Sequence, residues 1–527
     1  MKSFLLLLPI FYLFASCQQQ TETQGEGANL NTPPNIIYIL ADDLGYGDVG
    51  VYGQEKIETP NIDALAADGM RFTQHYAGAP VCAPSRCVLL TGKHSGHAYI
   101  RGNDAWGERG DVWNYMAMYQ DSTLEGQRPL PADTQTIPKL LQEEGYSTGM
   151  IGKWGLGSPD SESIPTTMGF DYFFGYNCQR QAHTYYPLHL YENENRVLLS
   201  NDTVPPRTGL PEGADPYDLA SYDPFNLAEY TPTLMFENMQ QFIAEHQDQP
   251  FFFYWASPIP HMPLQAPQRW VDYYVDKFGE EEPYLGDKGY FPHRHPHAAY
   301  AAMVSYLDEN IGKLVAQLKE AAIYENTLII FSSDNGPTYN GGTDTPWFNS
   351  AGPFQSKQGK IKGSVYEGGI RVPMIATWPA KIEAGTRSDH ISAFYDILPT
   401  LQEIAGVERQ VDTDGISFLP TLLGEDQQQK HEFLYWEFPG YSGQLAIRMG
   451  KWKLIQRDLN SDSPTLELYN LDEDSEESKN VAEKNPEVIQ QAVEIFEREH
   501  SQPALDNFKM QAIETGLVDS KADASIE

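Results

Sequence analysis

The sequence predicts an α/β fold in which buried strands alternate with helices. Four short apolar runs lie at residues 36–40, 148–151, 251–255 and 328–331. Unbroken apolar runs of this length are typical of strands that are buried on both faces. Between the last two runs, residues 300–321 show apolar side chains at helical spacing, which predicts a long amphipathic helix. Strands and helices therefore alternate along the chain.

Length and charge limit the classes of function. The chain has 527 residues, enough for one large domain with a smaller companion, and its formal net charge is −37. Such an acidic protein repels nucleic acid and has no general attraction for anions. An anionic substrate must therefore be held by a local cluster of basic side chains.

The first 17 residues are expected to be an export signal. Lys2 supplies a positive charge, and residues 4–14 form an apolar core that is short for a membrane span. The segment that ends at Cys17 resembles a bacterial lipoprotein signal, and an ordinary secretory signal is the alternative. Residues 18–34 are polar and typical of a flexible tether. We expect a protein of the periplasm or outer membrane, in contact with the membrane only through an N-terminal lipid on Cys17.

Oxygen-bearing side chains follow two of the predicted strands. Asp42 and Asp43 come just after the first run, and Asp334 and Asn335 come just after the last. Ligands of open α/β sheets bind beyond the carboxyl ends of the strands. Two adjacent carboxylates repel one another unless a cation lies between them, and Ca²⁺ takes about six to eight oxygen ligands. The alternative is that these residues only cap strand ends and form a turn.

Basic side chains follow the other two predicted strands. Lys153 lies in Gly152-Lys153-Trp154, and His261 lies between two prolines after residues 251–255. A third candidate, Lys362, opens a glycine-rich stretch at residues 362–373. A lysine is most often solvated and a histidine in such a place is most often structural. Their positions at strand ends nevertheless favour a shared cleft.

The most informative motif is Cys82-Ala83-Pro84-Ser85-Arg86. Pro84 suits the first turn of a helix, whose free N–H groups and positive end favour a bound anion. Arg86 adds a fixed positive charge with several donors. A buried thiol beside a proline turn is the alternative interpretation. The run resembles the signature of the type I formylglycine-dependent sulfatases, arylsulfatase-like members of the alkaline phosphatase superfamily.

The resemblance implies an alkaline-phosphatase-like α/β/α sandwich over residues 35–420 and a smaller C-terminal α+β domain over residues 421–527, with strands at residues 445–448 and 451–455. The acidic run at residues 472–479 is predicted to be a solvated loop. The motifs are spread over residues 36–373, and a resemblance in the tail extends them to nearly the whole mature chain.

The resemblance also implies a chemistry. A maturation enzyme oxidises Cys82 to formylglycine, and one Ca²⁺ is bound by Asp42, Asp43, Asp334 and Asn335, with the formylglycine at position 82 completing the shell. The aldehyde hydrate attacks sulfur, and the enzyme then carries a covalent sulfate. Breakdown of this hemiacetal intermediate releases inorganic sulfate and restores the aldehyde. Arg86, Lys153 and Lys362 would hold sulfate oxygens, and His261 would protonate the departing alcohol.

The remaining cysteines give no disulfide framework. Of the four in the chain, Cys17 would be lipidated and Cys82 modified, which leaves Cys87 and Cys178. Stability must therefore come from the hydrophobic core.

The sequence departs from the family pattern at Gly155, where many members have a histidine near the nucleophile. His183 is the nearest candidate for a replacement, and water is the alternative. Together with Arg180 it lies in a polar-aromatic loop that could instead bind sugar hydroxyls. This loop resembles that of some bacterial carbohydrate sulfatases, which implies a substrate such as 4-O-sulfated galactose or N-acetylgalactosamine.

Two alternative functions remain open from the sequence. Formylglycine-dependent phosphonate or phosphodiester hydrolases share the fold and the nucleophile. A non-catalytic, lipid-anchored glycan-binding protein could have kept the motif without its modification.

Overall fold

The computed structural model describes Met1 and residues 33–516. Apart from Met1, the predicted signal segment at residues 1–17 and nearly all of the predicted tether at residues 18–34 lie outside the described residues. Within the described part of the chain, no helix is both long enough and apolar enough to span a bilayer.

The main sheet has eleven strands in the described part of the chain. They are β1 (Asn35–Ala41), β2 (Met70–Tyr76), β3 (Ser147–Lys153), β4 (Tyr172–Tyr176), β5 (His189–Glu192), β6 (Asn195–Leu198), β7 (Phe251–Ala256), β8 (Thr327–Ser333), β9 (Arg371–Thr377), β10 (Thr386–Ser388) and β11 (Ser392–Ala393). Across the sheet the order is β10-β2-β9-β8-β1-β7-β3-β4-β5-β6, and β11 pairs with β2. The five strands from β8 to β4 are parallel, whereas β9, β5 and β6 pair antiparallel with their neighbours, so the sheet is mixed.

The four predicted strands are confirmed as β1, β3, β7 and β8, and they are neighbours in the centre of the sheet. Leu40, near the end of β1, pairs with Ala256 of β7 and with Ser332 of β8. Gly152 of β3 pairs with the same Ala256. The polar residues that follow these strands therefore meet at one edge of the sheet.

Helices cover both faces of this sheet, which confirms the predicted sandwich. The α-helices are α1 (Pro60–Ala67), α2 (Cys82–Thr91), α3 (Tyr115–Gln120), α4 (Ile137–Glu143), α5 (Thr231–His246), α6 (Gln268–Phe278), α7 (Pro296–Glu320), α8 (Thr345–Phe348), α9 (Glu367–Ile370), α10 (Ile397–Ala405), α11 (Leu419–Leu422), α12 (Pro486–Glu499) and α13 (Gln511–Glu514). Side chains alternate along β1: Tyr38 packs in a core with α2, α4 and α10, and Ile39 in a core with α1, α5 and α7. The predicted long helix is α7.

A second, antiparallel sheet forms the C-terminal part of the described chain. Its strands, in order, are β12 (Leu434–Phe438), β13 (Gln444–Met449), β14 (Trp452–Arg457) and β15 (Thr465–Asn470). One face contributes Trp436 to a core of the main sheet, and the other face packs against α12. The predicted α+β companion and two of its strands are confirmed, whereas the boundary at residue 420 stays a prediction.

The acidic run at residues 472–479 is a loop whose side chains are mostly exposed, which confirms the prediction of a solvated loop. Glu477 departs from it, because its side chain is buried. Its carboxylate lies 2.9 Å from the ammonium group of Lys453, which is itself fully buried in β14. A buried lysine needs a partner, and the chain supplies it from this run.

Candidate active site

The carboxyl edge of the main sheet gathers a cluster of buried charged residues. Asp42 and Asp43 follow β1, Asp334 follows β8, and Lys153 is the last residue of β3. All four side chains are buried. The first residue of α2, Cys82, is buried at the same edge, so its thiol lies at the positive end of that helix.

Arg86 ties the carboxylates together. Its Nε and Nη2 donate to Asp334 Oδ2 at 3.1 and 3.0 Å, and Nη2 also donates to Asp42 Oδ2 at 3.1 Å. Its Nη1 donates to the Lys153 carbonyl oxygen at 2.5 Å. The guanidinium therefore orients two carboxylates and the end of β3. Its predicted contact with a sulfate ester stays a prediction.

Two ammonium groups lie among these carboxylates and the thiol. Lys153 Nζ forms an ion pair with Asp42 Oδ2. Lys362 Nζ lies 2.6 Å from Asp43 Oδ1 and 3.9 Å from Cys82 Sγ. Lys362 is less buried than Lys153 and lines the adjoining cavity. A positive charge is thus available beside the thiol, whereas the predicted contact of Lys153 and Lys362 with sulfate oxygens stays a prediction.

The predicted oxygen ligands fit a hard cation. Asp42 Oδ1 and Asn335 Oδ1 are buried acceptors with no hydrogen-bond partner among the described residues. Unpaired buried oxygens are costly, and a divalent cation would satisfy them. Ligand atoms of Asp42, Asp43, Cys82 and His261 lie within 4.8 Å of one another. Asp334 is outside that set of four; its Oδ1 accepts the Asp43 amide at 3.1 Å.

Burial changes the acid–base properties of the cluster. Burial, together with the charge of Asp42, raises the pKa of Asp334 to about 7 despite the nearby Arg86. Burial also raises the pKa of Asp43. For Asp42, the positive charges of Lys153 and Arg86 outweigh burial and hold the pKa below its ordinary value. Additional positive charge near Asp43 and Asp334 would therefore favour their ionised forms.

The unmodified thiol is a poor nucleophile. Burial raises the pKa of Cys82 to about 12 although Lys153 and Lys362 are close. A thiol with such a pKa is protonated at neutral pH, and the thiolate is the reactive form of cysteine.

His261 points one ring nitrogen at the cluster. Its Nδ1 lies 2.6 Å from the Met262 carbonyl oxygen, which can only accept, so Nδ1 bears the proton. Its Nε2 lies 3.8 Å from Asp43 Oδ2. Burial and the charge of Lys362 lower the pKa of His261 well below its ordinary value. A general-acid role needs a second proton on Nε2, so that role stays a prediction.

The structure brings His183 to the same place. Its ring stacks on the His261 ring with a centroid separation of 5.5 Å and an interplanar angle of 9°. The Tyr115 hydroxyl lies 3.0 Å from His183 Nδ1, and the Tyr290 ring contacts both histidines edge-on. His183 is therefore part of the wall beside the candidate general acid.

Arg180, the other predicted substrate contact, is largely engaged elsewhere. Its Nη1 donates to the Gly126 carbonyl oxygen at 2.9 Å and its Nη2 to that of Leu124 at 2.7 Å. Its Nε has no partner among the described residues. Arg180 thus holds residues 124–126 in place while it also lines the cavity beside Cys82, and its binding of substrate stays a prediction.

A cavity of about 230 Å³ opens beside Cys82. Its volume is below the roughly 300–1,000 Å³ of most small-molecule sites, which favours the end of a substrate over a long chain. A larger hollow of about 1010 Å³ meets it at Asn340 but contains none of the predicted residues.

Several cavity residues were missed from the sequence. They are Asn103, Asp104, Trp113, Gln127, Gln179, Arg207, Tyr290, Asn340 and Tyr441. These residues lie in irregular segments outside the described helices and strands, and no spacing distinguishes them. One feature of the sequence pointed to this region: Gly155 stands where many family members have a histidine.

Comparisons with known proteins place the chain in a family. The family model described as Sulfatase matches residues 34–407, and the model for the N-sulphoglucosamine sulphohydrolase C-terminal region matches residues 361–501. Human arylsulfatase A is 31% identical over 504 aligned positions, which cover 88% of this chain and 87% of that protein. The N-acetylgalactosamine-6-O-sulfatase of Bacteroides thetaiotaomicron is 30% identical over 557 positions, with coverage of 93% and 97%.

The fold is similar to that of a carbohydrate-bound relative. The crystal structure of Ps i-CgsB in complex with k-i-k-neocarrahexaose has a TM-score of 0.69 and 26% identity, and the match covers 93% of this chain and 98% of that one. The fold, the cluster at the sheet edge and these matches agree. The chain belongs to the sulfatase family and is a sulfuric ester hydrolase.

Proposed function

We propose that this protein hydrolyses the sulfate ester of a small or terminal sulfated sugar at Cys82 after that residue is oxidised to formylglycine. One observation carries the proposal: the Cys82 thiol lines a cavity and lies 3.9 Å from Lys362, beside carboxylates whose oxygens are not all paired. A separate maturation enzyme would perform the oxidation. The hydrated aldehyde of formylglycine supplies the nucleophile that the protonated thiol lacks.

Asp42, Asp43, Asp334 and Asn335 would hold one Ca²⁺, and position 82 would complete its shell. When bound, the ion supplies a Lewis acid that draws electron density from a sulfate oxygen. The unpaired Asp42 Oδ1 and Asn335 Oδ1 support this assignment. Arg86 keeps Asp42 and Asp334 in place by donating to both carboxylates.

The chain's own cations would bind the substrate anion. Lys362 Nζ and Lys153 Nζ lie among the carboxylates and would donate to sulfate oxygens as charge redistributes during ester cleavage. The positive end of α2 acts in the same direction at position 82. These fixed donors are positioned before the substrate arrives.

His261 is our candidate for the proton donor to the leaving alcohol. Its Nδ1–H is held by the Met262 carbonyl oxygen, which fixes the ring and leaves Nε2 to exchange a proton. Asp43 Oδ2, 3.8 Å from Nε2, would stabilise the doubly protonated ring. The stacked His183 limits where that ring can move.

The sugar is proposed to be galactose or N-acetylgalactosamine. Two findings support this class: a relative is named for N-acetylgalactosamine 6-sulfate, and a similar fold binds a neocarrahexaose. The sequence resemblance pointed to the 4-O position, and the relative's name points to 6-O. Both positions therefore belong in the substrate panel. Export to the periplasm or outer membrane as a lipoprotein on Cys17 completes the proposal.

Two measurements test the function. Mass analysis of the peptide that contains Cys82, from protein made in its native host, should find formylglycine. Sulfate release should then be measured from 4-nitrophenyl sulfate and from the 4- and 6-sulfates of galactose and N-acetylgalactosamine. An unmodified thiol and no sulfate release would favour a glycan-binding protein. Faster phosphate release than sulfate release from matched aryl esters would favour a phosphonate or phosphodiester hydrolase.

A further inference from the structure

The backbone just after β3 carries no side chain at Gly155. Gly155 has φ +77°, a left-handed conformation that glycine adopts readily. A Cβ at this position would lie 2.9 Å from Gln179 Oε1. The amide of Gln179 therefore occupies the space beside Gly155.

The side-chain oxygen of Gln179 has no hydrogen-bond partner among the described residues. Gln179 is 8% exposed and lines the cavity that also contains Cys82. Its Oε1 is buried without a hydrogen bond from any described residue. Buried side-chain amides are nearly always paired, so an unpaired one in a cavity wall indicates a missing ligand.

The backbone of Gln179 is held independently of its side chain. Gln127 Oε1 accepts the Gln179 backbone N–H at 2.8 Å, and Gln127 lines the same cavity. The amide is therefore presented on a fixed backbone. Its own side chain is not needed to hold that segment.

We propose that Gln179 binds a neutral sugar hydroxyl beside the sulfate ester and thereby selects the substrate; this rests on the proposed function. An amide offers one acceptor oxygen and donor N–H groups, and a hydroxyl can pair with both. A second sulfate or a carboxylate can only accept, so it could not donate to the unpaired Gln179 oxygen. The substrate group on this side of the cavity is a free hydroxyl.

The test compares Gln179→Ala with wild type on two probes. The probes are 4-nitrophenyl sulfate, which has no sugar hydroxyl, and the best sugar monosulfate of the panel above. We expect the ratio of kcat/KM for the sugar to kcat/KM for the aryl ester to fall about tenfold, since a neutral hydrogen bond is lost. The control is Gln142→Ala, an exposed glutamine on α4 that donates to Asp171, and it should leave the ratio unchanged.

Monodeoxy analogues of the same sugar sulfate identify the hydroxyl. For one analogue, the loss of kcat/KM caused by Gln179→Ala and the loss caused by removing the hydroxyl should not add, because both changes remove the same contact. An unchanged ratio in a folded, active Gln179→Ala protein, or additive losses for every analogue, would overturn the inference. If the wild-type protein cleaves neither probe, the proposed function is refuted instead.

Discussion

Two clusters of buried charges can be compared in this protein. The site cluster comprises Asp42, Asp43, Asp334, Arg86, Lys153 and Lys362 at the edge of the main sheet. The inter-sheet cluster comprises Lys453 of β14, Glu367, Glu477 and Arg371. Lys453 Nζ lies 2.8 Å from Glu367 Oε1 and 2.9 Å from Glu477 Oε1, and Arg371 Nη1 lies 3.0 Å from Glu367 Oε2.

The two clusters differ in what their charges face. In the inter-sheet cluster the charged groups pair with one another and join the second sheet to the main one. In the site cluster, Asp42 Oδ1 has no partner and Lys362 lines a cavity. Burial and charge alone therefore do not indicate function. An unpaired buried oxygen beside an open cavity does indicate function, because it implies that a ligand or a metal ion binds there.

The largest expected effect is at the nucleophile. Cys82→Ala should lower kcat by at least about a thousandfold, because the side chain that carries out the reaction is lost. The fold should persist, since alanine suits a helix and removes only one buried sulfur atom. Circular dichroism and sulfate release on the purified variant measure the two properties. Appreciable turnover would refute the assignment of Cys82.

The next effect is at the oxygen ligands. Asp42→Asn, Asp43→Asn and Asp334→Asn each remove a negative charge at nearly constant shape, so Ca²⁺ content and kcat/KM should fall together by more than about a hundredfold. Elemental analysis and kinetics on the same preparation check this. Fully active wild-type protein without bound metal would contradict the ligand assignment.

The inter-sheet cluster should respond in stability and not in rate. Glu477→Gln leaves Lys453 with one carboxylate fewer, and loss of a partner from a buried ion pair costs about 3 kcal/mol. Denaturant unfolding should show that loss, while kcat/KM per folded molecule stays at the wild-type value. A large drop in kcat/KM at full folding would remove the distinction between the clusters.

Some parts of the fold and of the site could be predicted from the sequence and others could not. The central strands were predictable because an apolar run buried on both faces is an unambiguous pattern, and the residues that follow β1, β3, β7 and β8 had to meet at one edge. The short antiparallel strands β5 and β6 have no such pattern. Gln179 and Tyr290 reach the cavity from irregular segments, which only the tertiary fold brings there.

Charges were harder to assign than strands. Arg86 donates to Asp42, Asp334 and a carbonyl oxygen, contacts that the sequence did not reveal, and its expected contact with a sulfate group stays a prediction. Glu477 was expected in solvent because an isolated glutamate is usually exposed. Its burial depends on Lys453, which is distant in sequence, so local composition could not predict it.

A smaller effect is expected at the wall of the site. His183→Ala removes the ring that stacks on His261. It also removes the hydrogen bond between His183 Nδ1 and the Tyr115 hydroxyl. If His183 contacts the sugar, kcat/KM should fall about tenfold for a sugar sulfate and less for 4-nitrophenyl sulfate. Equal losses on both probes would instead indicate that His183 acts at the reacting group. Unchanged kinetics would exclude both roles.

A third cluster, His94, His97, Asp414 and Glu499, sharpens the comparison further. Two imidazoles and two carboxylates look like metal ligands, but the Gly96 amide donates to His94 Nδ1 at 3.1 Å, so the ring proton is on Nε2. That proton faces Glu499 Oε2 at 3.2 Å. The Nδ1 lone pair accepts from Gly96 and the Nε2 proton is donated to Glu499, so His94 has no lone pair left for a metal ion. This cluster is therefore held by hydrogen bonds.

The smallest expected effect follows from this cluster. His97 Nδ1 lies 3.0 Å from Asp414 Oδ2, and that hydrogen bond raises the pKa of His97. A histidine with a raised pKa stabilises the fold fully below its unfolded pKa of about 6.5, and the contribution is lost as pH rises through the folded value. The free energy of unfolding should thus fall more between pH 6 and pH 8 in wild type than in His97→Gln, by less than about 1 kcal/mol, because the pair is near the surface. Denaturant unfolding at both pH values measures this difference, and an equal fall in both proteins would show that the His97–Asp414 pair is not a charged one.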